Sequence, residues 1–392
     1  MLFCVLSLHL TQKNLNFVVL RRIKPIAKDG RTFNTNIYLH IYMNINDFII
    51  SHRCSVLEAL SRLNTLPGTA MTLFVCADGN RLLGTLTDGD IRRSLIAGHQ
   101  LSDPVELVMH RQCVAFKGNI SIAEVKRLRQ KRITLIPHID AEGRIVDILD
   151  FNRIRSMLPI DAVLMAGGKG ERLRPLTLNT PKPLLKIGDK CIIDYNVEAL
   201  ARCGVKHISV TTNYLAEQLE EHFSTPVADV NVRCVREPYR MGTIGSLALI
   251  EEFHNDTVLL MNSDLLTSID FEDFYLAHIN NDDDLTVASI PYMVSVPYGI
   301  FVLDGDQVRS VEEKPTYNYY ANAGIYLIKR SRLDIIPRGE YFDATNFMDA
   351  LIERGFKVSH FPINGTWIDI GSPNDYKHAQ DLMQHRNSLL NL

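Results

Sequence analysis

From residue 160 onward, short apolar runs alternate with helical patterns for roughly a hundred residues. IDAVLM (160–165) is an apolar run of strand length, and 193–202 carry a helical pattern stopped by Gly204. HISVTT (207–212) reads as a strand, while Leu215, Leu219 and Phe223 mark one helix face at i, i+4, i+8. VNVRCV (230–235) alternates like a strand, IGSLALIEEF (244–253) reads as a helix, and TVLLMNSD (257–264) reads as a buried strand ending in an acid. This order predicts an α/β fold built on a mostly parallel sheet covered on both faces. Ligands of such sheets sit beyond the carboxyl ends of strands. Both the loop after residue 165 and Asp264 fall there, so they can share one site. Further on, GIFVLDGDQVRSVEEKP alternates around an Asp304-Gly305 hairpin signal, and Ser372-Pro373-Asn374-Asp375 predicts a helix start.

Ahead of this region the chain resembles itself. TLFVCADGNRLLGTLTDGDIRR (72–93) is echoed 62 residues later by TLIPHIDAEGRIVDILDFNRIR (134–155). Each copy follows a capping-box pattern, Ser55-x-x-Glu58 or Ser121-x-x-Glu124, so each reads helix, strand, acidic turn, strand, helix. Units this small have thin cores and pack against each other. The pattern resembles a pair of cystathionine-β-synthase-type (CBS) domains, an α+β regulatory module, which implies an adenine nucleotide between the copies. By that resemblance Thr87 and Asp90 would meet ribose and phosphate; otherwise Asp90 only caps its helix. Asp150 and Arg153 stand at the matching positions of the second copy, departing from the pattern. The basic run KRLRQKR (126–132) is a phosphate-facing or a solvated helix face.

Composition narrows the classes. A chain of 392 residues with 46% hydrophobic and 22% charged positions suggests a globular protein of two or three domains. Its net charge of −3 argues against nucleic acid as a partner. Seven scattered cysteines without a CxxC pair fit reduced thiols in the cytoplasm. No apolar run approaches the ~18 residues of a membrane span. Residues 1–42 carry six Lys/Arg and one acid, +5 against −8 for the remainder, and their apolar opening lacks a basic region before it. They read as a poorly structured extension. The CBS pair spans 43–158, and the catalytic domain 159–392, with Pro159 breaking a preceding helix at the boundary.

The candidate chemistry centres on LMAGGKGERLRPLT (164–177). Gly167, Gly168 and Gly170 let backbone N–H groups approach phosphate oxygens. Arg172 can fork onto a phosphate, and Lys169 and Arg174 add positive potential. The loop is neither a Walker A loop nor a dinucleotide fingerprint, because Leu173 stands where the third glycine belongs.

LMAGGKGERLRPLTLNTPKPLL resembles the signature of sugar-phosphate nucleotidyltransferases. EPYRMGTIGSL, MNSDLL, YGIF, EEKP, NAGIY and WIDIGSPNDY follow in the family's order. The resemblance spans 160–383 and implies a Rossmann-like core in which a sugar 1-phosphate attacks the α-phosphorus of a nucleoside triphosphate. It places Arg172 on the triphosphate and Lys182 on the reacting phosphates. Asp264 and Asp369 would hold Mg²⁺; Ser263 precedes the first where the family usually has glycine. Gly242, Thr243 and Ser246 would lie near the nucleoside, and Tyr298, Gly299, Glu313, Lys314, Asn322 and Gly324 would line the sugar side. A CBS pair ahead of this domain resembles bacterial guanylyltransferases that take GTP and glucosamine 1-phosphate toward legionaminic acid. A thymidylyl- or uridylyltransferase for glucose 1-phosphate and a mannose 1-phosphate guanylyltransferase stay open. So does a catalytically silent nucleotide-sensing protein, which the retained Arg172, Lys182, Asp264 and Asp369 oppose. The resemblance also implies a homo-oligomer.

Overall fold

A computed structural model describes residues 44–390 apart from 67–70 and 119. The extension expected at 1–42 lies outside the described residues. The chain enters through α1 (Ile45–Phe48), β1 (Ile49–Ser51) and α2 (Val56–Asn64). The capping box of α2 forms as its sequence dictates: the Glu58 N–H donates to Ser55 Oγ (3.2 Å) and the Ser55 N–H to the Glu58 carboxylate (2.7 Å). β2 (Thr72–Ala77), β3 (Arg81–Thr87) and α3 (Asp88–Ile96) follow. The next unit comprises β4 (Phe116–Lys117), α4 (Ile122–Gln130), β5 (Leu135–Ile139) and β6 (Ile145–Asp150). Two three-stranded sheets result, β1-β2-β3 and β4-β5-β6. In each, the first strand runs parallel to the middle one and the third antiparallel, with a bulge at Val75/Cys76 or His138/Ile139. One apolar cluster of Phe48, Phe74, Cys76, Leu135, Ile145 and Ile148 draws on both sheets.

The second unit departs from its expected pattern in three ways. Ser121 caps α4 by accepting from the Glu124 N–H, without the reciprocal bond of a capping box. The closing helix near Ile154 does not form. Asp150 Oδ1 accepts from the Asn152 N–H (2.9 Å) in a tight turn, and Arg153, where Asp90 stands in the first copy, has no acceptor to offer a helix start. Consequently Pro159 follows an irregular segment, with no helix to break. That segment is captured instead by tertiary bonds, Arg155 N–H to Arg202 O and Leu158 N–H to Cys203 O.

The basic run does not face solvent throughout. Lys126 pairs with Asp273, and Arg129 with the fully buried Glu272, which also accepts from Ser156 Oγ (2.9 Å). These two pairs form an ionic seam that fastens α4 to the helix bearing those acids, while Arg127, Lys131 and Arg132 are exposed.

The larger sheet begins at β7 (Ile160–Met165). The short hairpin of β8 (Lys186–Ile187) and β9 (Lys190–Cys191) leads into α5 (Ile192–Arg202) and β10 (His207–Thr212). Next come α6 (Ala216–His222), β11 (Val232–Arg236), β12 (Thr257–Asn262), β13 (Leu265–Thr267) and α7 (Phe271–Asn281). β14 (Leu285–Ser295), β15 (Ile300–Asp304), β16 (Gln307–Glu312) and β17 (Thr316–Lys329) follow. The chain closes with α8 (Ala344–Glu353), β18 (Val358–Pro362), β19 (Trp367–Asp369) and α9 (Pro373–Leu390). Seven strands form one sheet in the order β11-β10-β7-β12-β17-β14-β18. β11, β10, β7 and β12 pair in parallel, β17 runs antiparallel between β12 and β14, and β18 is parallel to β14. The core is therefore mainly parallel, with apolar clusters on both faces.

The helix expected over 244–253 shrinks to a 3-10 turn, Gly245–Leu249. The N–H groups of Ile244 and Gly245 both donate to Phe342 O (3.1 Å each), so tertiary contact claims the backbone that would start an α-helix. The strands expected at 160–165 and 207–212 form as such, those expected at 230–235 and 257–264 run over Val232–Arg236 and Thr257–Asn262, β15 and β16 pair in a hairpin turning at Gly305, and Ser372 caps α9.

Candidate active site

β7 delivers the chain into the glycine loop at the carboxyl end of the parallel strands. Gly170 has φ +59°, and a Cβ there would meet Thr177 Cγ2 at 3.0 Å and Lys182 Cβ at 3.2 Å. Thr177 Oγ1 donates to Gly170 O (2.8 Å), closing the loop against the Lys182 turn. Gly167 lies so near Glu237 that a Cβ would sit 3.0 Å from its Oε1. At Gly168 a Cβ would meet nothing within 4 Å, so packing among the described residues does not require a glycine there.

Lys182, Asp264 and Asp369 converge. Lys182 is buried in a 3-10 turn between Pro181 and Pro183. Its Nζ contacts Asp264 Oδ2 and lies 3.5 Å from Asp369 Oδ1. The two acids are brought side by side by the pairing of β13 with β19, whose register sets Leu265 opposite Asp369. Ile370 N–H then donates to Asp264 O (3.2 Å). Burial first, and the neighbouring Asp264 charge second, push the Asp369 carboxyl up, while Lys182 and Arg172 act the other way. Arg172 lies against the same loop: a Cβ on Gly371 would be 2.9 Å from its Nη2. Ser263, in the place usually held by glycine, donates its hydroxyl to Met165 O (2.5 Å) and ties the Asp264 segment to the end of β7.

A single apolar cluster holds these groups in place. Leu173, Leu185, Leu266, Ile368 and Ile370 are all buried in it, together with Ala379 and Met383 of α9. Leu173, Leu185, Leu266, Ile368 and Ile370 each sit within three residues of Arg172, Lys182, Asp264 or Asp369. Burying such side chains contributes about 1.5–3 kcal/mol each, so the polar groups ride on a packed base although they come from four separate segments.

The donor set suits a hard divalent cation. Asp264 Oδ1 is buried and has no hydrogen-bond partner. An orphaned buried carboxylate oxygen is costly, and a cation bound by oxygen would satisfy it. Asp264 and Asp369 are the residues that would hold Mg²⁺.

The remaining expected residues divide. Ser246 is buried with an unpartnered hydroxyl. Gly242 has φ +82°, and a Cβ there would lie 2.4 Å from Phe342 O. Gly242→Ala is therefore expected to destabilise the protein by about 3 kcal/mol or more; urea unfolding checks this, and a change below about 0.5 kcal/mol would show that the backbone relaxes freely. Thr243 is occupied structurally: its N–H and hydroxyl bond Asp343 Oδ1 (2.9 and 3.1 Å), and its Oγ1 accepts from the Ala344 N–H (2.7 Å) at the start of α8. Asn322 bonds Tyr326 and the Gly324 N–H, and a Cβ on Gly324 would strike Asn262 Nδ2 at 2.5 Å. Tyr298 is 72% exposed, Gly299 packs against Glu313, and Lys314 Nζ lies 4.0 Å from Glu313. Among the described residues, no hydrogen bond or ion pair joins Tyr298, Glu313 or Lys314 to Lys182 or the two aspartates.

The nucleotidyl transferase family model matches residues 161–386, more than half of the chain. The chain belongs to the nucleotidyl transferase family. Among its relatives, the mannose-1-phosphate guanylyltransferase catalytic subunit beta of Xenopus tropicalis is 30% identical over 224 residues, 55% of this chain and 62% of that protein. The mannose-1-phosphate guanylyltransferase of Mycobacterium tuberculosis is 29% identical over 235 residues, 57% of this chain and 65% of that protein. The chain thus spans less than two thirds of these curated relatives. Among solved structures, HddC from Yersinia pseudotuberculosis is 25% identical, with a TM-score of 0.46 over 57% of this chain and 99% of that one.

Within this family member, Glu237 received no role from the sequence. It is buried at the end of β11, against the glycine loop, and its Oε2 accepts weakly from the Met241 N–H (3.4 Å). Burial pushes its carboxyl up. The signal was present: an acid at the end of a strand-like run, as at Asp264. At the N-terminal unit, Thr87 and Asp90 are both engaged in capping α3. Thr87 Oγ1 donates to Asp90 Oδ2 (2.6 Å), the Asp90 N–H donates to Thr87 Oγ1 (3.2 Å), and Arg93 holds Asp90 Oδ1 (2.6 Å). Burial alone would raise the Asp90 carboxyl, but these bonds outweigh it and hold it low.

Proposed function

We propose that this protein transfers a nucleotidyl group from a nucleoside triphosphate to a sugar 1-phosphate, with GTP as the donor. The observation that carries this reading is the convergence of Lys182, Asp264, Asp369 and Arg172 beside a glycine loop. A phosphate oxygen of the sugar 1-phosphate bonds to the α-phosphorus, the bond from that phosphorus to the bridging oxygen breaks, and pyrophosphate leaves with the electron pair. The nucleophile is anionic at neutral pH, so no base is needed; the chemistry calls for charge neutralisation and in-line placement. Lys182 meets the reacting phosphate, Arg172 the triphosphate. Bound at Asp264 and Asp369, Mg²⁺ supplies Lewis-acid stabilisation of the phosphate charge.

Glu237 supports guanine. The guanine Watson–Crick edge presents adjacent N1–H and N2–H donors, which match two carboxylate oxygens. Uracil and thymine present one donor between two carbonyl oxygens, which a carboxylate repels. Glu237→Gln is expected to lower kcat/KM for GTP about 10- to 100-fold and to spare UTP or dTTP. Unchanged discrimination among the triphosphates would remove Glu237 from base reading.

For the acceptor, the combination of N-terminal pair and transferase domain favours glucosamine 1-phosphate, and the relatives' names favour mannose 1-phosphate. Pyrophosphate release measured over a panel of triphosphates and sugar 1-phosphates with Mg²⁺ tests both. Turnover of neither sugar with GTP would overturn the reading; no turnover of any pair would favour a nucleotide-sensing role. The shared strand order and bulge position of the two small sheets support a CBS pair over 43–158 ahead of a catalytic domain over 159–392; the family resemblance favours its regulating that domain within a homo-oligomer, and the scattered thiols favour the cytoplasm. The ionic seam between α4 and α7 is the contact through which that regulation would reach the site.

A further inference from the structure

Cys191, Asp194 and His222 bring a thiol, a carboxylate and an imidazole together outside the site described above. Cys191 is the N-cap residue of α5, Asp194 lies three residues on in its first turn, and His222 ends α6. One ligand atom from each lies within 4.8 Å of the other two, and all three residues are half-buried. His222 Nε2 is 2.7 Å from Asp194 Oδ1. We infer that Cys191 Sγ, Asp194 and His222 Nε2 form a zinc site that clamps α5 to α6, with water as the fourth ligand.

The chemistry of the three groups favours this metal. Thiolate with imidazole is a borderline-soft donor pair that selects zinc, whereas Mg²⁺ prefers oxygen throughout. The two sites would therefore not compete for one ion. A thiolate, a carboxylate and a neutral imidazole also bring the charge of a bound Zn²⁺ to zero. Tetrahedral zinc with sulfur at about 2.3 Å and nitrogen or oxygen at about 2.0–2.1 Å sets its ligand atoms roughly 3.3–3.6 Å apart. The ligand atoms, all within 4.8 Å of one another and 2.7 Å apart for His222 Nε2 and Asp194 Oδ1, would adjust to that spacing on binding. Positions i and i+3 put Cys191 and Asp194 on one helix face, so two ligands are arranged by α5 alone.

Cys191 and Asp194 also form a reciprocal capping box at the start of α5, a place where Ser, Thr, Asp and Asn are the favoured residues. The Cys191 N–H donates to Asp194 Oδ2 (3.3 Å). Burial first, then the Asp194 charge, push the Cys191 thiol up; Lys186, opposite Cys191 in the β8–β9 register, acts the other way. The clamp also bears on the neighbouring site: Asn196 of α5 donates Nδ2 to Ser263 O (3.2 Å), next to Asp264.

The test uses the full chain, stripped with a chelator and then titrated with Zn²⁺ and, separately, Co²⁺. Native mass spectrometry is expected to show one retained zinc per chain. Co²⁺ is expected to give thiolate-to-metal charge-transfer absorption and tetrahedral d–d bands. Both signals should fall in Cys191→Ser and in His222→Gln, with zinc affinity about 10- to 100-fold weaker or worse. Zinc should also raise the melting temperature of the unaltered chain and of neither variant. Circular dichroism establishes that the variants fold; if Cys191→Ser does not, His222→Gln, at the end of a short helix, carries the comparison. No retained zinc in the unaltered chain, or cobalt spectra unchanged in a folded variant, would overturn the site.

Discussion

Lys182→Ala is expected to lower turnover about 10²-fold or more, the usual cost of deleting a preorganised charge-stabilising donor. Among the described residues its ammonium is the cation that pairs with both carboxylates, in contact with Asp264 and 3.5 Å from Asp369. Deleting it leaves two acids facing each other where a polyphosphate must also bind, and Asp369 is already pushed up by burial and by its neighbour. The loss should appear mainly in kcat, since the interaction strengthens as charge shifts during transfer. Steady-state pyrophosphate release at saturating substrates measures it. The turn that presents Lys182 is set by flanking prolines and by Leu185 in the apolar cluster, so the variant should keep its fold. Near-normal turnover would remove Lys182 from the reacting centre.

Asp264→Asn is expected to cost about 10³-fold, equivalent to about 4 kcal/mol, because it weakens the metal site without changing side-chain volume. Asp264 Oδ1 is the buried, unpartnered oxygen. Replacing the carboxylate by an amide removes the charge that a cation would answer. The apparent Mg²⁺ requirement should rise in the same variant, which separates metal loss from general damage. A titration with the Mg²⁺ dependence of the unaltered enzyme would show that Asp264 does not bind the ion. The reading of the site as a metal centre would then fall, although the nucleotidyl transferase fold would stand.

Much of the core could be read in one dimension. Strand-length runs at 160–165, 207–212 and 257–264 marked strands that pair in parallel, because buried parallel strands are apolar on both faces. The Asp304-Gly305 turn and the Ser372 cap were equally local, set by backbone geometry over a few residues. Where expectation failed, long-range contact had taken over a backbone group. Phe342 O claims two N–H groups at 244–245, and the carbonyls of Arg202 and Cys203 claim those of residues 155 and 158. No local pattern reveals an acceptor that lies tens of residues away. The Lys126 and Arg129 pairs with α7 were hidden for the same reason.

The amino-acid sequence by itself determined which residues carry charge at strand ends and glycine loops, because those depend on local periodicity and residue chemistry. The order of its motifs likewise pointed to the family, through resemblance. Only the tertiary structure decided that Asp264 and Asp369 stand side by side, that Lys182 reaches both, and that Cys191, Asp194 and His222 meet. Antiparallel pairing of β13 with β19 and packing of helix ends bring together residues far apart along the chain. Such meetings are set by the shared burial of distant apolar side chains, which no single segment encodes.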